Sequence, residues 1–179
     1  MQIKESSDQK VSGAEGRLRV TEGTYAFPLT EKPNTTTEAT YVFPATFGQR
    51  RLWFLQQLHP GDVSYLIPWS IRISGMLDIR ALDQTLNEIV RRHEVLRTTY
   101  SMRDNGEVVQ VVRESLRIPL PVEDLSACLD PEQQAHDRAV AEAGWPLDLE
   151  RGPLIRARVL RLNSADHVLL LTLHHIAFD

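Results

Sequence analysis

The stretch VLLLTLHHIAFD occupies residues 168–179 and decides the fold predicted for this chain. Its first six residues are almost continuously apolar, which is typical of a strand that is covered on both faces of a sheet. His174 and His175 follow directly, and Asp179 comes four residues after the second histidine. Because apolar surroundings change the pKa values of titratable groups, the end of this strand is a candidate active site.

Other segments also have the pattern of strands. Residues 154–162 alternate in part between apolar and polar side chains, and residues 69–74 alternate fully. Residues 95–102 and 108–112 are predicted to be two strands that are joined across Asn105-Gly106, since this pair supplies the positive φ of a tight hairpin turn.

A first helix is predicted from Thr46 to about Leu58, where His59-Pro60-Gly61 stops it. Its apolar residues recur at roughly helical spacing. The positions predicted to be buried are Phe47, Leu55 and Leu58.

Two further helices are predicted from their capping residues. Asp78 begins one whose apolar stripe is about three turns long. The stripe consists of Leu82, Leu86, Ile89, Val90 and His93. Asp130 before Pro131 begins the other, which is predicted to end near Gly144, where glycine permits a left-handed stop.

The first forty residues differ in composition from the rest of the chain. Residues 1–40 are rich in Ser, Thr, Glu, Lys and Gly and have no sustained apolar period, so they are predicted to be a mostly disordered lead or linker. Residues 41–179 mix strands and helices in an order that predicts a layered α/β sandwich.

The bulk composition disfavours several classes of protein. A chain of 179 residues with 42% hydrophobic and 25% charged residues fits one domain, or one lobe of a larger domain. A formal net charge of −4 without a cluster of Lys and Arg indicates no nucleic-acid partner. The single cysteine, Cys128, cannot form an intramolecular disulfide, and no stretch approaches the roughly 18 apolar residues of a membrane span. The chain is expected to be cytoplasmic.

The histidine pair by itself fits a structural, a metal-binding or a catalytic role. The metal-binding interpretation lacks ligands, because the other histidines lie in separate segments without a recognised ligand spacing. These are His59, His93, His136 and His167. His93 is interpreted as a core histidine because it lies on the apolar stripe of its helix. The spacing alone does not decide between a structural and a catalytic role for the pair.

Three motifs together carry a resemblance to a known family. Residues 174–179, HHIAFD, resemble the HHxxxD part of the HHxxxDG signature that condensation domains share with epimerisation domains and chloramphenicol acetyltransferase-like acyltransferases. Residues 46–55, TFGQRRLWFL, are similar to the first condensation-domain motif, and residues 92–100, RHEVLRTTY, match the second. The chain therefore resembles the N-terminal part of a condensation domain from a nonribosomal peptide synthetase over about residues 41–179, ending inside the HHxxxDG motif.

The resemblance implies a chloramphenicol acetyltransferase-like two-layer α/β sandwich, of which residues 41–179 would be the N-terminal lobe only. Condensation domains join an acyl or peptidyl thioester to the amine of an aminoacyl thioester. Both substrates are carried on phosphopantetheine arms of donor and acceptor peptidyl carrier proteins, so no directly bound cofactor and no metal are expected. The implied partners also include an adenylation domain and the missing C-terminal lobe, without which the chain is expected to be inactive.

The resemblance also implies roles for four residues. His175 is the catalytic residue, either as general base or as a hydrogen-bond partner of the attacking amine. His174 packs beside the catalytic loop, and Asp179 resembles a structural aspartate that holds this loop through a salt bridge. Arg97 is expected either to point toward the site or to be a structural arginine paired with an acid.

Several alternatives remain open at this point. An epimerisation domain and a stand-alone acyltransferase share the HHxxxDG motif, although the first two motifs are closer to condensation domains. A heterocyclisation domain is disfavoured because that branch carries aspartates where this chain has His174 and His175. The last alternative is a truncated, non-catalytic scaffold fragment.

Overall fold

The computed structural model describes residues 40–178, which form strands, α-helices and two short 3-10 turns. In chain order the elements are β1 (Thr40–Pro44), α1 (Phe47–Leu58), β2 (Leu66–Ser74), α2 (Ile79–Arg92), the 3-10 turn Glu94–Arg97, β3 (Thr98–Met102), β4 (Val108–Arg113), β5 (Val122–Asp124), α3 (Pro131–Ala143), β6 (Ile155–Asn163), β7 (Asp166–His174) and the 3-10 turn His175–Ala177. The predicted disordered lead at residues 1–40 lies outside the described residues, apart from Thr40, and stays a prediction.

Strand β7 lies inside a four-stranded sheet with the order β2-β7-β6-β5. It pairs antiparallel with β2 on one side and with β6 on the other, and β5 joins β6 in parallel. Leu169 and Leu173 enter the main hydrophobic core, whereas Leu170 enters a smaller core that includes Ala135 of α3. The predicted strand with two covered faces is confirmed, because alternate side chains of β7 enter two different cores.

A second sheet has three strands in the order β1-β4-β3. Strands β3 and β4 form the predicted antiparallel hairpin, and Gly106 in its turn has a φ of 81°. Strand β1, whose sequence is TYVFP, pairs with β4 and was not predicted from the sequence. Both sheets contribute residues to the main core, which lies between them and the helices α1 and α2.

The first predicted strand of the hairpin is too long. Residues 95–97 belong to a 3-10 turn and not to a strand, so Arg97 does not lie on β3 as expected. The turn forms because the backbone of α2 ends at Arg92 and the amide of Leu96 donates to the carbonyl of His93 at 3.0 Å. Leu96 is buried in this way without extending the strand.

Helix α1 begins as predicted, with a capping box at Thr46. The Thr46 side chain accepts from the amide of Gln49, and the Gln49 side chain accepts from the amide of Thr46. The predicted buried face is wrong at Phe47, which is 78% exposed, and at Leu58, which is 54% exposed. Leu55 is half-buried, and the buried residue of this helix is Trp53. At about 100° per residue, Trp53 lies some 120° around the helix from Phe47, so the packed face is a different stripe.

Helix α2 has the predicted cap, with Asp78 accepting from the amides of Arg80 and Ala81. Leu86 and Val90 are buried and Leu82 is half-buried, which confirms these positions of the stripe, whereas Ile89 is 40% exposed and was wrongly predicted to be buried. The interpretation of His93 as a core histidine is wrong, since the helix ends at Arg92 and the side chain of His93 is exposed.

Helix α3 runs from Pro131, after the capping residue Asp130, to Ala143. The predicted left-handed stop is wrong, because Gly144 has a φ of −85° and its amide donates to the carbonyl of Val140. Within residues 40–178, none of the helices has the length and apolarity that crossing a bilayer requires.

The connection from α3 to β6 contacts both the second sheet and α1. The carbonyl of Leu149 accepts from the amide of Tyr100 at 2.7 Å, and the carbonyl of Leu147 accepts from Gln56 at 3.4 Å. Gly152 lies near the end of this connection and has a φ of 61°. A Cβ added to Gly152 would lie 2.9 Å from Cγ2 of Thr99. A larger residue at this position is therefore disfavoured for both conformational and steric reasons.

We expect Gly152→Ala to lower the free energy of unfolding by about 1–3 kcal/mol, because alanine at this φ is strained and Thr99 must move. Urea unfolding followed by circular dichroism measures the change. The matched control is Gly144→Ala, where φ is negative and the nearest atom lies at 3.6 Å. Equal free energies of unfolding for the two variants would contradict the prediction.

Candidate active site

The two histidines lie where β7 ends and the 3-10 turn His175–Ala177 begins; we call this turn the histidine turn. The amide of His174 donates to the carbonyl of Leu154 at 3.0 Å, so the residue is still held by the sheet region. Its Nδ1 accepts from the amide of Ile176 at 3.1 Å and caps the histidine turn. The chain therefore changes direction between the two histidines.

His174 is almost completely inaccessible, with 1% of its surface exposed. Its Nε2 lies 3.2 Å from Oε1 of Gln56 on α1, and its ring centroid is 6.4 Å from that of Tyr65. Burial, and then the neighbouring His175, lower the pKa of His174 to about 4. The imidazole is neutral at physiological pH, as the predicted packing role requires.

His175 has the opposite environment, because its side chain is exposed while its backbone is held. The amide of His175 donates to the carbonyl of Tyr65 at 2.8 Å, and its carbonyl accepts from the amide of Phe178 at 3.0 Å. The imidazole is thus presented from a fixed turn to the surface, where a substrate can reach it.

A cavity of about 370 Å³ adjoins His175. Its walls come from the start of α1, from the segment before β2 and from the histidine turn. The lining residues are Thr46, Gly48, Gln49, Arg51, Leu52, Tyr65, His175 and Ile176. An accessible imidazole beside a cavity of mixed polarity can accept a proton or a hydrogen bond from a bound molecule.

Neither a second hollow nor a metal site provides an alternative active site among the described residues. A hollow of about 470 Å³ on α2 is formed by one helix face only, between Ala81 and Arg92, and it contains no histidine. Among residues 40–178, there is no group of three or more His, Cys, Asp or Glu side chains that could hold a metal ion.

Residues 39–179 match the model of the family described as the condensation domain. The chain belongs to the condensation-domain family. This condensation-domain chain is 46% identical over 136 residues to chondramide synthase cmdD of Chondromyces crocatus, a match that covers 73% of the chain and 3% of the relative.

Solved structures support the same fold for this condensation-domain chain. The starter condensation domain of rhizomide synthetase RzmA is 25% identical with a TM-score of 0.70, over 76% of this chain and 34% of that domain. A variant of the RzmA domain in complex with C8-CoA is 27% identical with a TM-score of 0.66, over 77% and 31%. The match confirms the predicted two-layer α/β fold of the N-terminal lobe. The chain spans about a third of the length of these solved relatives.

Of the other two predicted site residues, Arg97 does not join the histidines in this condensation-domain chain. Arg97 donates to the carbonyl of Arg113 and lies 3.3 Å from the carboxylate of Glu94, with 10% of its side chain exposed. It is not among the residues that line the cavity beside His175. Asp179 lies outside the described residues, so its role stays a prediction.

Sequence reasoning missed Gln56 and Tyr65. Gln56 follows the first motif on α1, and Tyr65 precedes β2, so both are far from the histidines along the chain. Nothing in their local sequence indicates a contact with His174 and His175. Only the packing of α1 and β2 against the end of β7 brings these residues to the site.

The low pKa of His174 predicts that the protein loses stability as the pH falls. Its folded pKa of about 4 lies below its unfolded value of 6.5, so protons bind preferentially to the unfolded chain below pH 6.5. We expect a loss of about 2 kcal/mol between pH 7.5 and 5 and little change above pH 7.

Urea unfolding at pH 7.5, 6 and 5 measures this loss. The control is His174→Asn, which cannot titrate but offers a side-chain oxygen near the place of Nδ1. The variant should lose the part of the pH dependence that His174 contributes. An unchanged pH dependence in the variant would show that His174 is not the responsible group.

Proposed function

We propose that this chain supplies the N-terminal lobe and the catalytic histidine of a condensation domain that forms an amide bond. The donor substrate is an acyl or peptidyl thioester, and the acceptor is an aminoacyl thioester. The observation that carries the proposal is His175, whose imidazole is exposed beside the cavity while its backbone is fixed to Tyr65. A proton acceptor must lie at a constant distance from the reacting amine, and the fixed backbone of His175 holds its imidazole in this way.

The proposed reaction is an acyl transfer from sulfur to nitrogen. The amine of the acceptor attacks the carbonyl carbon of the donor thioester, the C–N bond forms, and the C–S bond breaks. His175 takes the proton from the amine, or holds the amine by a hydrogen bond during the attack, and the thiolate that leaves is protonated. Atoms and electrons balance in this acyl transfer without an oxidant or a metal ion.

The other predicted residues have supporting roles in the proposal. His174 is the buried neutral partner that caps the histidine turn. Arg97 joins the 3-10 turn at Glu94 to β4, which favours a structural role over one at the substrate. Asp179 is proposed to hold the loop after the histidine turn, as the resemblance to the family implies.

The proposed partners are the donor and acceptor peptidyl carrier proteins, an adenylation domain of the same synthetase and a C-terminal lobe. Both substrates arrive on phosphopantetheine arms, so no cofactor is bound directly. Coenzyme A contains the same arm, and the RzmA variant was solved in complex with C8-CoA. The single cysteine, Cys128, is consistent with the cytoplasmic location that is part of this proposal.

In the complete domain, we expect His175→Ala to reduce amide formation about 100-fold or more, because the proton acceptor is lost. Mass spectrometry of the product formed from loaded carrier proteins measures the rate. Binding of the carrier proteins should persist. The matched control is His136→Ala, which removes an exposed histidine on α3, away from the cavity.

Two results would contradict this proposal. Amide formation by His175→Ala within about twofold of the wild type would show that His175 is not the catalytic residue and would favour a scaffold role for this lobe alone. Inversion of the α-carbon of a carrier-bound residue by the wild type, without amide formation, would favour the epimerisation domain.

We also expect the 179-residue chain alone to form amide at least about 100-fold more slowly than the complete domain, because one lobe cannot orient both substrates. The same mass-spectrometric assay compares the two proteins at equal concentration. Equal rates would show that the second lobe is dispensable and would contradict the two-lobe part of the proposal.

A further inference from the structure

The side-chain amide of Gln56 connects α1 to the buried histidine and to the connection before β6. Its Oε1 lies 3.2 Å from Nε2 of His174, and its Nε2 donates to the carbonyl of Leu147 at 3.4 Å. Gln56 is half-buried, and it does not line the cavity beside His175. Its direct connection to the site is therefore the hydrogen bond to His174.

The chemistry of the neighbouring groups fixes the direction of each hydrogen bond. A backbone amide such as that of Ile176 only donates, so Nδ1 of His174 accepts and carries no proton. The proton of the neutral ring is then on Nε2, which donates to Oε1 of Gln56. The carbonyl of Leu147 only accepts, which requires the NH2 group of Gln56 on its side.

The same bonds determine where the histidine turn begins. The bond from Ile176 to His174 caps this turn, and it exists only while Nδ1 is unprotonated. His175 lies between these two residues, so its backbone is held by this bond and by the carbonyl of Tyr65. A change in the protonation of His174 would consequently alter the direction in which His175 is presented.

We propose that Gln56 is a positioning residue that holds His174 in its Nε2–H tautomer and thereby fixes the histidine turn that presents His175. The tautomer and the turn follow from geometry alone, whereas the consequence for catalysis rests on the proposed function. Gln56 has no contact with the reacting atoms in this scheme and acts through His174 only.

The surroundings of His174 make its protonation sensitive to position 56. The titratable groups that face it are the adjacent His175 and the ring of Tyr65. Within residues 40–178, His174 forms no ion pair with a carboxylate. A carboxylate at position 56 would be the first opposite charge beside the ring, and it would favour the imidazolium.

The first experiment uses nitrogen-15 NMR on the 179-residue chain with Gln56→Glu, Gln56→Met and the control Gln57→Glu. Gln57 is the exposed neighbour on the same helix, so the control makes the same chemical change away from His174. In the wild type and the control, His174 should be the Nε2–H tautomer and should not titrate between pH 5.5 and 8. In Gln56→Glu, its titration midpoint should rise by at least about one pH unit.

Hydrogen exchange at the amide of Ile176 reports on the histidine turn without any assay of activity. The amide should be protected in the wild type and in Gln57→Glu. It should lose protection in Gln56→Glu as His174 becomes protonated, and at all pH values in Gln56→Met, where the ring has lost its acceptor. Gln56→Met keeps the side-chain volume and adds no charge, so it separates loss of the bond from a change of charge.

The second experiment measures amide formation by the complete domain as a function of pH. In Gln56→Met we expect kcat to fall about 10- to 100-fold with KM within about twofold, because the turn and not substrate binding is altered. In Gln56→Glu, kcat should fall on the acid side with the same midpoint as His174 in the NMR titration. Gln57→Glu should match the wild type throughout.

An Nδ1–H tautomer in the wild type, or an unchanged His174 midpoint in Gln56→Glu, would overturn the proposal. So would a wild-type kcat in Gln56→Met despite loss of protection at Ile176. Absence of amide formation by the wild type would instead refute the proposed function, while the NMR and exchange measurements would still decide whether Gln56 fixes the tautomer and the turn.

Discussion

The pairing of β7 between β2 and β6 is the constraint on which the rest of the structure depends. The strand is covered on both faces, so its position in the sheet is fixed by two cores and two rows of hydrogen bonds at once. A shift by one residue would exchange its two faces and would move His174 out of the buried position. The register of this strand therefore determines which histidine is buried and which is exposed.

The two adjacent histidines consequently have different chemical properties. His174 occupies a strand position whose side chain enters the interior, and burial lowers its pKa to about 4. His175 is the first residue of the histidine turn, where the chain leaves the sheet and the side chain faces solvent. Because His174 is neutral, it adds no positive charge beside His175.

The site is assembled from three segments that are distant along the chain. The start of α1 and the residue before β2 form walls of the cavity, and the histidine turn supplies the imidazole. Gln49 also bonds to Gln110, which joins the start of α1 to β4 of the other sheet. The geometry around His175 thus depends on both sheets, although only one of them carries the histidines.

The sequence by itself determined the family, the order of the main elements, the buried strand and the two histidines. These features depend on local patterns: alternation, capping residues such as Asp78 and Asp130, and the motifs at residues 46–55, 92–100 and 174–179. Periodicity identifies an apolar stripe, but the neighbours that cover it decide which stripe is buried. Phe47 and Leu58 were misplaced for this reason.

Only the tertiary structure decided the contacts of Gln56, Tyr65 and Arg97. Gln56 is 118 residues from His174, and no local preference specifies a hydrogen bond over that separation. Arg97 lies in the 3-10 turn that follows the end of α2 and not on the predicted strand. Its guanidinium donates to the carbonyl of Arg113 and to the carboxylate of Glu94. Local sequence specifies conformation over a few residues, whereas contacts between distant segments exist only once the sheets and helices have packed.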